Sequence, residues 1–160
     1  MRISHCIPFY KPIIPEILKE KISFSATESL TRDEAIWYSY ALMIVAEQLE
    51  HEEIDINSLT AVTVIFTING ILSIDGECSK GESVYLDLII YSMRHIRSIS
   101  SRKLVLFKFL EGLIRHFWQL EDDSMVNSKV RQLMQYIEQD FSSGDLLHKF
   151  EAAELQEMYS

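Results

Sequence analysis

An α+β fold is predicted, with four or five helices packed on a small, mainly antiparallel sheet of three or four strands. Three observations carry that expectation. The tetrad Thr31-Arg32-Asp33-Glu34 has capping-box spacing and opens a long apolar run. The β-branched stretch 61–74 contains Asn69-Gly70, a pair that readily takes the positive φ angles of a tight turn. Two later stretches, 102–120 and 124–141, repeat apolar residues at helical spacing.

Taken in order, the elements begin with Ile7 to Pro15, whose three prolines remove backbone donors and fix φ, so the segment reads as an extended arm or edge strand. Pro15 suits the first position of a short helix over 15–22. The capping box then starts a helix over 32–52, apolar almost all round from Tyr40 to Ala46 and so expected at the centre of the core. Strands 63–68 and 71–74 form a hairpin across Asn69-Gly70, and a third strand alternates over 83–91. In the helix over 102–120, Leu106, Phe109, Leu110, Leu113, Phe117 and Leu120 make the apolar stripe. In the helix over 124–141, capped by Asp122, Asp123 or Ser124, it is Val126, Val130, Leu133, Ile137 and Phe141. Gly144 ends that helix, and Asp145 opens an acidic helical tail over 145–160. One domain is expected over 1–160, with 1–30 as an N-terminal arm.

Composition narrows the function. With 48% hydrophobic residues in 160, the chain has the apolar mass for a core of its own. The net charge is −9, and residues 121–160 carry nine Asp/Glu against three Lys/Arg. Nucleic-acid binding needs clustered cations, so a basic protein partner is the better expectation. Cys6 and Cys78 lack the spacing of a disulfide framework or a zinc site. Neither a signal peptide nor a membrane span is readable, so a cytoplasmic location without membrane contact is expected.

Three groups of residues are candidates for binding. Glu111, Arg115 and His116 lie on the helix over 102–120; the plain reading is a solvated face with an i,i+4 Glu111–Arg115 pair. Glu47, His51 and Asp55 follow one another along the end of the first long helix, a pattern able to offer carboxylate and imidazole to a divalent ion. Acidic side chains there oppose the helix dipole, and a basic partner, a metal or cations from elsewhere in the fold would offset the cost. Arg94, Arg102 and Lys103 bracket a Ser-rich helix start suited to an anion, although no glycine-rich phosphate loop accompanies them.

The succession of a long helix, a short sheet, the helix containing Glu111-Gly112-Leu113-Ile114-Arg115-His116 and a further helix resembles the minimal-zincin fold of ImmA/IrrE-type metallopeptidases. The resemblance spans about residues 30–140. It implies a zinc helix around Glu111, yet reading the motif at 111–115 gives Glu, Gly and Arg where His, Glu and His belong. On a helix Glu111 and His116 also point roughly 140° apart.

These readings converge on a non-catalytic binding or regulatory protein that acts through an acidic surface, without a cofactor, and with a homodimer as one form of association. A degenerate zinc-dependent peptidase of minimal-zincin type is the alternative, and an acidic nucleic-acid mimic a second one.

Overall fold

The computed structural model describes residues 2–3, 6–70, 74–75, 87–99 and 101–143. In chain order these form β1 (Arg2–Ile3), a 3-10 turn at Glu16–Leu18, β2 (Ile22–Ala26), α1 (Arg32–His51), a second 3-10 turn at Ile56–Ser58, β3 (Val62–Thr67), β4 (Ile74–Asp75), β5 (Asp87–Ser92), α2 (Met93–Ser98), α3 (Arg102–Phe117) and α4 (Asp123–Ser143). The α+β class and the long helices are as expected. The expected tail helix lies outside the described residues, as does the stretch 83–86 of the third strand.

The sheet is not mainly antiparallel. Its three strands run β2-β3-β5 and are all parallel, with Ile22 opposite Val62 and Val62 opposite Asp87; among the described residues only the short β1–β4 pair is antiparallel. The cause is β2, which the helical reading of 15–22 and the arm reading of 1–30 concealed. Ile22-Ser23-Phe24-Ser25-Ala26 alternates with period two and buries Ile22, Phe24 and Ala26. With a strand on each side of α1, the helix becomes a crossover that returns the chain to the same end of the sheet. The expected hairpin pairing across Asn69-Gly70 is therefore not found among the described residues, and 71–73 of its second strand lie outside them. Both edges of β3 are occupied by parallel neighbours, and β4 pairs with β1 instead. Gly70 keeps its positive φ of 77° in a bend, where its N–H donates to Thr67 Oγ1 at 2.7 Å.

Helix α1 starts as the sequence dictates. The Glu34 N–H donates to Thr31 Oγ1 at 3.1 Å, and the Thr31 N–H donates to Glu34 Oε1 at 2.8 Å. The arm is tied to this helix by Ser39, whose hydroxyl accepts from the Ile13 N–H at 2.7 Å and donates to the Ala35 carbonyl at 2.6 Å. The Ile7 N–H donates to the Ala26 carbonyl at 3.0 Å, so the arm also runs beside β2.

One face of the sheet carries the core. Phe66 on β3 stacks with Phe24 at 6.1 Å, Tyr91 at 5.8 Å and Tyr38 of α1 at 5.5 Å, and Tyr38 stacks in turn on Phe109 of α3 at 4.3 Å. Ring pairs of this kind contribute about 0.5–1.5 kcal/mol each beyond their area. Burial pushes the Tyr38 and Tyr91 phenols far above the ordinary tyrosine range, so both stay neutral. The Tyr91 hydroxyl donates to the Phe109 carbonyl at 2.6 Å, bringing α3 close against β5. Gly112 sits at that approach, where a Cβ would lie 2.6 Å from Tyr91 Oη and 2.9 Å from Ile89 Cγ2. Helix α4 covers α1 and α3 with Val126, Val130, Leu133 and Ile137.

At the C-terminal ends of the strands, Arg97 of α2 gathers the chain. Its guanidinium donates to Glu34 Oε1 at 3.0 Å, to Glu28 Oε1 at 3.2 Å and to the Ser29 carbonyl at 2.5 Å. Glu34 is buried, so this ion pair offsets a carboxylate withdrawn from water. No helix among the described residues is long and apolar enough to cross a membrane.

Candidate functional site

Helices α1 and α3 finish at the same end of the molecule, where β3 and β5 begin and α4 starts. Both stop in the same way. Glu53 and Gln119 take left-handed φ angles of 55° and 52°, and the following N–H groups, of Ile54 and Leu120, donate back to the Leu49 carbonyl at 3.0 Å and the Arg115 carbonyl at 3.2 Å. Two helix C-termini thus present their partial negative charge to one surface, beside the exposed carboxylates of Glu50, Glu53, Asp55, Asp87, Glu121 and Asp122.

The α3 candidates are each held by a different neighbour. His116 Nε2 lies 2.8 Å from the Thr60 carbonyl oxygen and Nδ1 lies 3.4 Å from Asp87 Oδ2, so both ring nitrogens face acceptors. Arg115 donates to Asp123 and, at 3.2 Å, to the Glu121 carbonyl. Glu111 pairs with Lys108 at 3.6 Å, replacing the expected Glu111–Arg115 pair. Arg115 and His116 line one polar cleft of about 420 Å³ together with Thr60, Asp87, Gln119, Leu120 and Glu121, and Glu111 does not reach it. Gly112 is where α3 meets β5, and a side chain there has no room.

Glu47 and His51 also share a cleft, with Ile44, Gln48 and Tyr136, of about 270 Å³. Asp55 is elsewhere engaged, its carboxylate accepting from the Asn57 N–H at 3.2 Å to start the second 3-10 turn. Among the described residues no three His, Cys, Asp or Glu side chains gather as a metal would need.

The basic group is divided. Arg94 is exposed and uses its backbone N–H on the Ile68 carbonyl at 2.9 Å. The Arg102 guanidinium lies over the Trp37 ring at 5.6 Å, and Lys103 is exposed on the first turn of α3. The nearby cation that organises its surroundings is Arg97, outside that group, which bonds to carboxylates of its own chain.

No family model, curated protein or solved structure matches the chain.

Sequence reasoning missed a second cleft at the acidic end. Trp118, Leu120, Ser124, Met125, Ser128, Lys129 and Gln132 line about 380 Å³ between the end of α3 and the first turns of α4. Lys129 Nζ lies 5.1 Å from the centre of the Trp118 ring and 2.5 Å from Glu52 Oε2, which also accepts from Gln48 Nε2 at 2.9 Å. The apolar period of α4 placed Lys129 off the buried stripe, and nothing in the sequence joined it to Glu52. Leu120 borders both clefts, so they adjoin.

Burial alone would raise the Glu52 carboxyl, but the hydrogen bonds from Lys129 and Gln48 and the Lys129 charge outweigh it and hold the group below the usual carboxylate range. A carboxyl depressed in the folded state stabilises it above the ordinary carboxylate value, and that contribution disappears as pH falls through the lowered one. Glu52→Gln is therefore expected to flatten the acid side of the stability profile. Denaturant midpoints followed from neutral pH into acid test this, and parallel profiles for the two proteins would refute it.

Proposed function

We propose that this chain is a non-catalytic binding protein that engages a basic partner protein through its acidic end. One observation carries the reading: carboxylates are exposed there while the nearby cations are committed to their own chain. Arg115 bonds to Asp123 and the Glu121 carbonyl, Lys129 to Glu52, and Lys21 to the Leu59 carbonyl at 2.7 Å. The C-termini of α1 and α3 add to the negative potential, and the N-terminus of α4 at the same end offsets part of that addition. Such a surface draws a cationic partner at long range and loosens its hold as salt rises.

The test is titration of the whole protein with a soluble Lys/Ser peptide at increasing ionic strength. Binding that weakens steadily with salt is expected, together with its loss in the triple variant Glu50→Lys, Glu53→Lys, Glu121→Lys. Asp33→Lys, at the opposite end of α1, should leave binding unchanged. Equal binding by the triple variant, or none by the native chain at low salt, overturns the proposal.

A further inference from the structure

We infer that the Trp118–Met125 cleft is an anchor pocket for an apolar side chain of that basic partner, so the preferred ligand is a basic amphipathic segment and not a uniformly cationic one. The inference rests on the acidic-end reading and deepens it. Charge alone needs no concavity, yet the acidic end holds one of about 380 Å³ with Trp118, Leu120 and Met125 in its lining. Met125 is 56% exposed, a large apolar side chain standing at the mouth of the cleft and not packed into the core. Methionine suits such a place because its unbranched, polarisable chain adapts to the group it meets.

Charge complementarity selects the occupant. The cation at the cleft, Lys129, is neutralised by Glu52 and rests over the Trp118 ring, so it presents little charge to repel an incoming lysine or arginine. The exposed carboxylates around it, on Glu50, Glu53, Glu121 and Asp122, suit cations that flank an apolar anchor. Leu120 joins this cleft to the polar one that holds Asp87, Arg115, His116 and Glu121, so a segment anchored beside Trp118 continues over a second patch of carboxylates. An amphipathic helix presenting one apolar stripe between basic flanks matches this order of surfaces.

Three synthetic peptides test the inference on the whole protein: an amphipathic Lys/Leu peptide, the Lys/Ser peptide of equal charge, and an amphipathic Glu/Leu peptide. Trp118 fluorescence and calorimetric titration give the readout, with Trp118→Phe assigning the optical signal. The Lys/Leu peptide should bind at least about tenfold more tightly than the Lys/Ser peptide, and Met125→Ser should remove most of that margin while binding of the Lys/Ser peptide stays unchanged. Equal affinity for the two basic peptides would overturn the anchor pocket and leave the acidic-end reading standing. Tight binding of the Glu/Leu peptide would remove both, since apolar contact alone would then explain association. A Lys/Leu preference that survives Met125→Ser would place the apolar anchor elsewhere and so overturn the inference.

Discussion

Arg97→Leu should destabilise the folded protein by about 3 kcal/mol, the lower part of the range for removing one partner of a buried ion pair, because Arg97 itself is 37% exposed. The loss falls on Glu34. Its carboxylate is only 7% exposed, and it is already occupied by the Thr31 N–H of the capping box, so it cannot turn out to water without releasing the start of α1. Glu28 and the Ser29 carbonyl lose a donor at the same time. Arg97→Lys should recover part of the stability and no more, since an ammonium cannot reproduce the planar fork that reaches Glu34, Glu28 and the Ser29 carbonyl together. Adding Glu34→Gln to Arg97→Leu should also recover stability, by removing the stranded charge. Denaturant midpoints measure all three variants, and a loss below about 1 kcal/mol for Arg97→Leu would mean that Glu34 finds water by another route.

Gly112→Ala separates local propensity from packing by its sign. In an isolated helix the change gains about 1 kcal/mol, because alanine loses less backbone freedom. In this fold the new methyl meets Tyr91 Oη at 2.6 Å and Ile89 Cγ2 at 2.9 Å, so α3 must lift from β5 or both side chains must move. A net loss of about 1–3 kcal/mol is expected. Tyr91→Phe removes the nearest atom, at the expense of the hydrogen bond to the Phe109 carbonyl, so Gly112→Ala should cost less in the Tyr91→Phe background than alone. A stabilising Gly112→Ala would show that the two elements are not in the close contact described.

The long helices were legible because their signals are local, whereas the short α2 was not foreseen and the helix expected over 15–22 is a 3-10 turn leading into β2. Thr31 and Glu34 lie three residues apart and cap α1 as their spacing implies, and the apolar stripes of α3 and α4 face the core. The parallel sheet was not legible, because the prolines and Pro15-led turn before β2 drew its five residues into an arm and a short helix, and without β2 the Asn69-Gly70 turn looked like the organiser of the sheet. Part of the candidate site was readable: Arg115 and His116 do meet in one cleft. Their partners were not, since Thr60 contributes a backbone carbonyl, which no side-chain pattern encodes, and Asp87 stood in a strand pattern as an ordinary polar position. Lys129 and Glu52 lie on different helices, and only the packing of α4 on α1 joins them.

The parallel sheet also bears on how quickly the chain can reach its fold. Ile22 waits for Val62, forty residues on, and Val62 in turn pairs with Asp87, twenty-five residues further. Parallel strands cannot be joined by a tight turn, so β2 reaches β3 only once the chain has crossed through α1, and β5 only across the nineteen residues 68–86. Folding should accordingly be slower than for a helical bundle of this length, with α1 and its capping box forming early and strand pairing late. Until β2 and β5 arrive, the apolar β3 run Val62-Thr63-Val64-Ile65-Phe66 has two open edges, and that interval is when the chain is most exposed to aggregation.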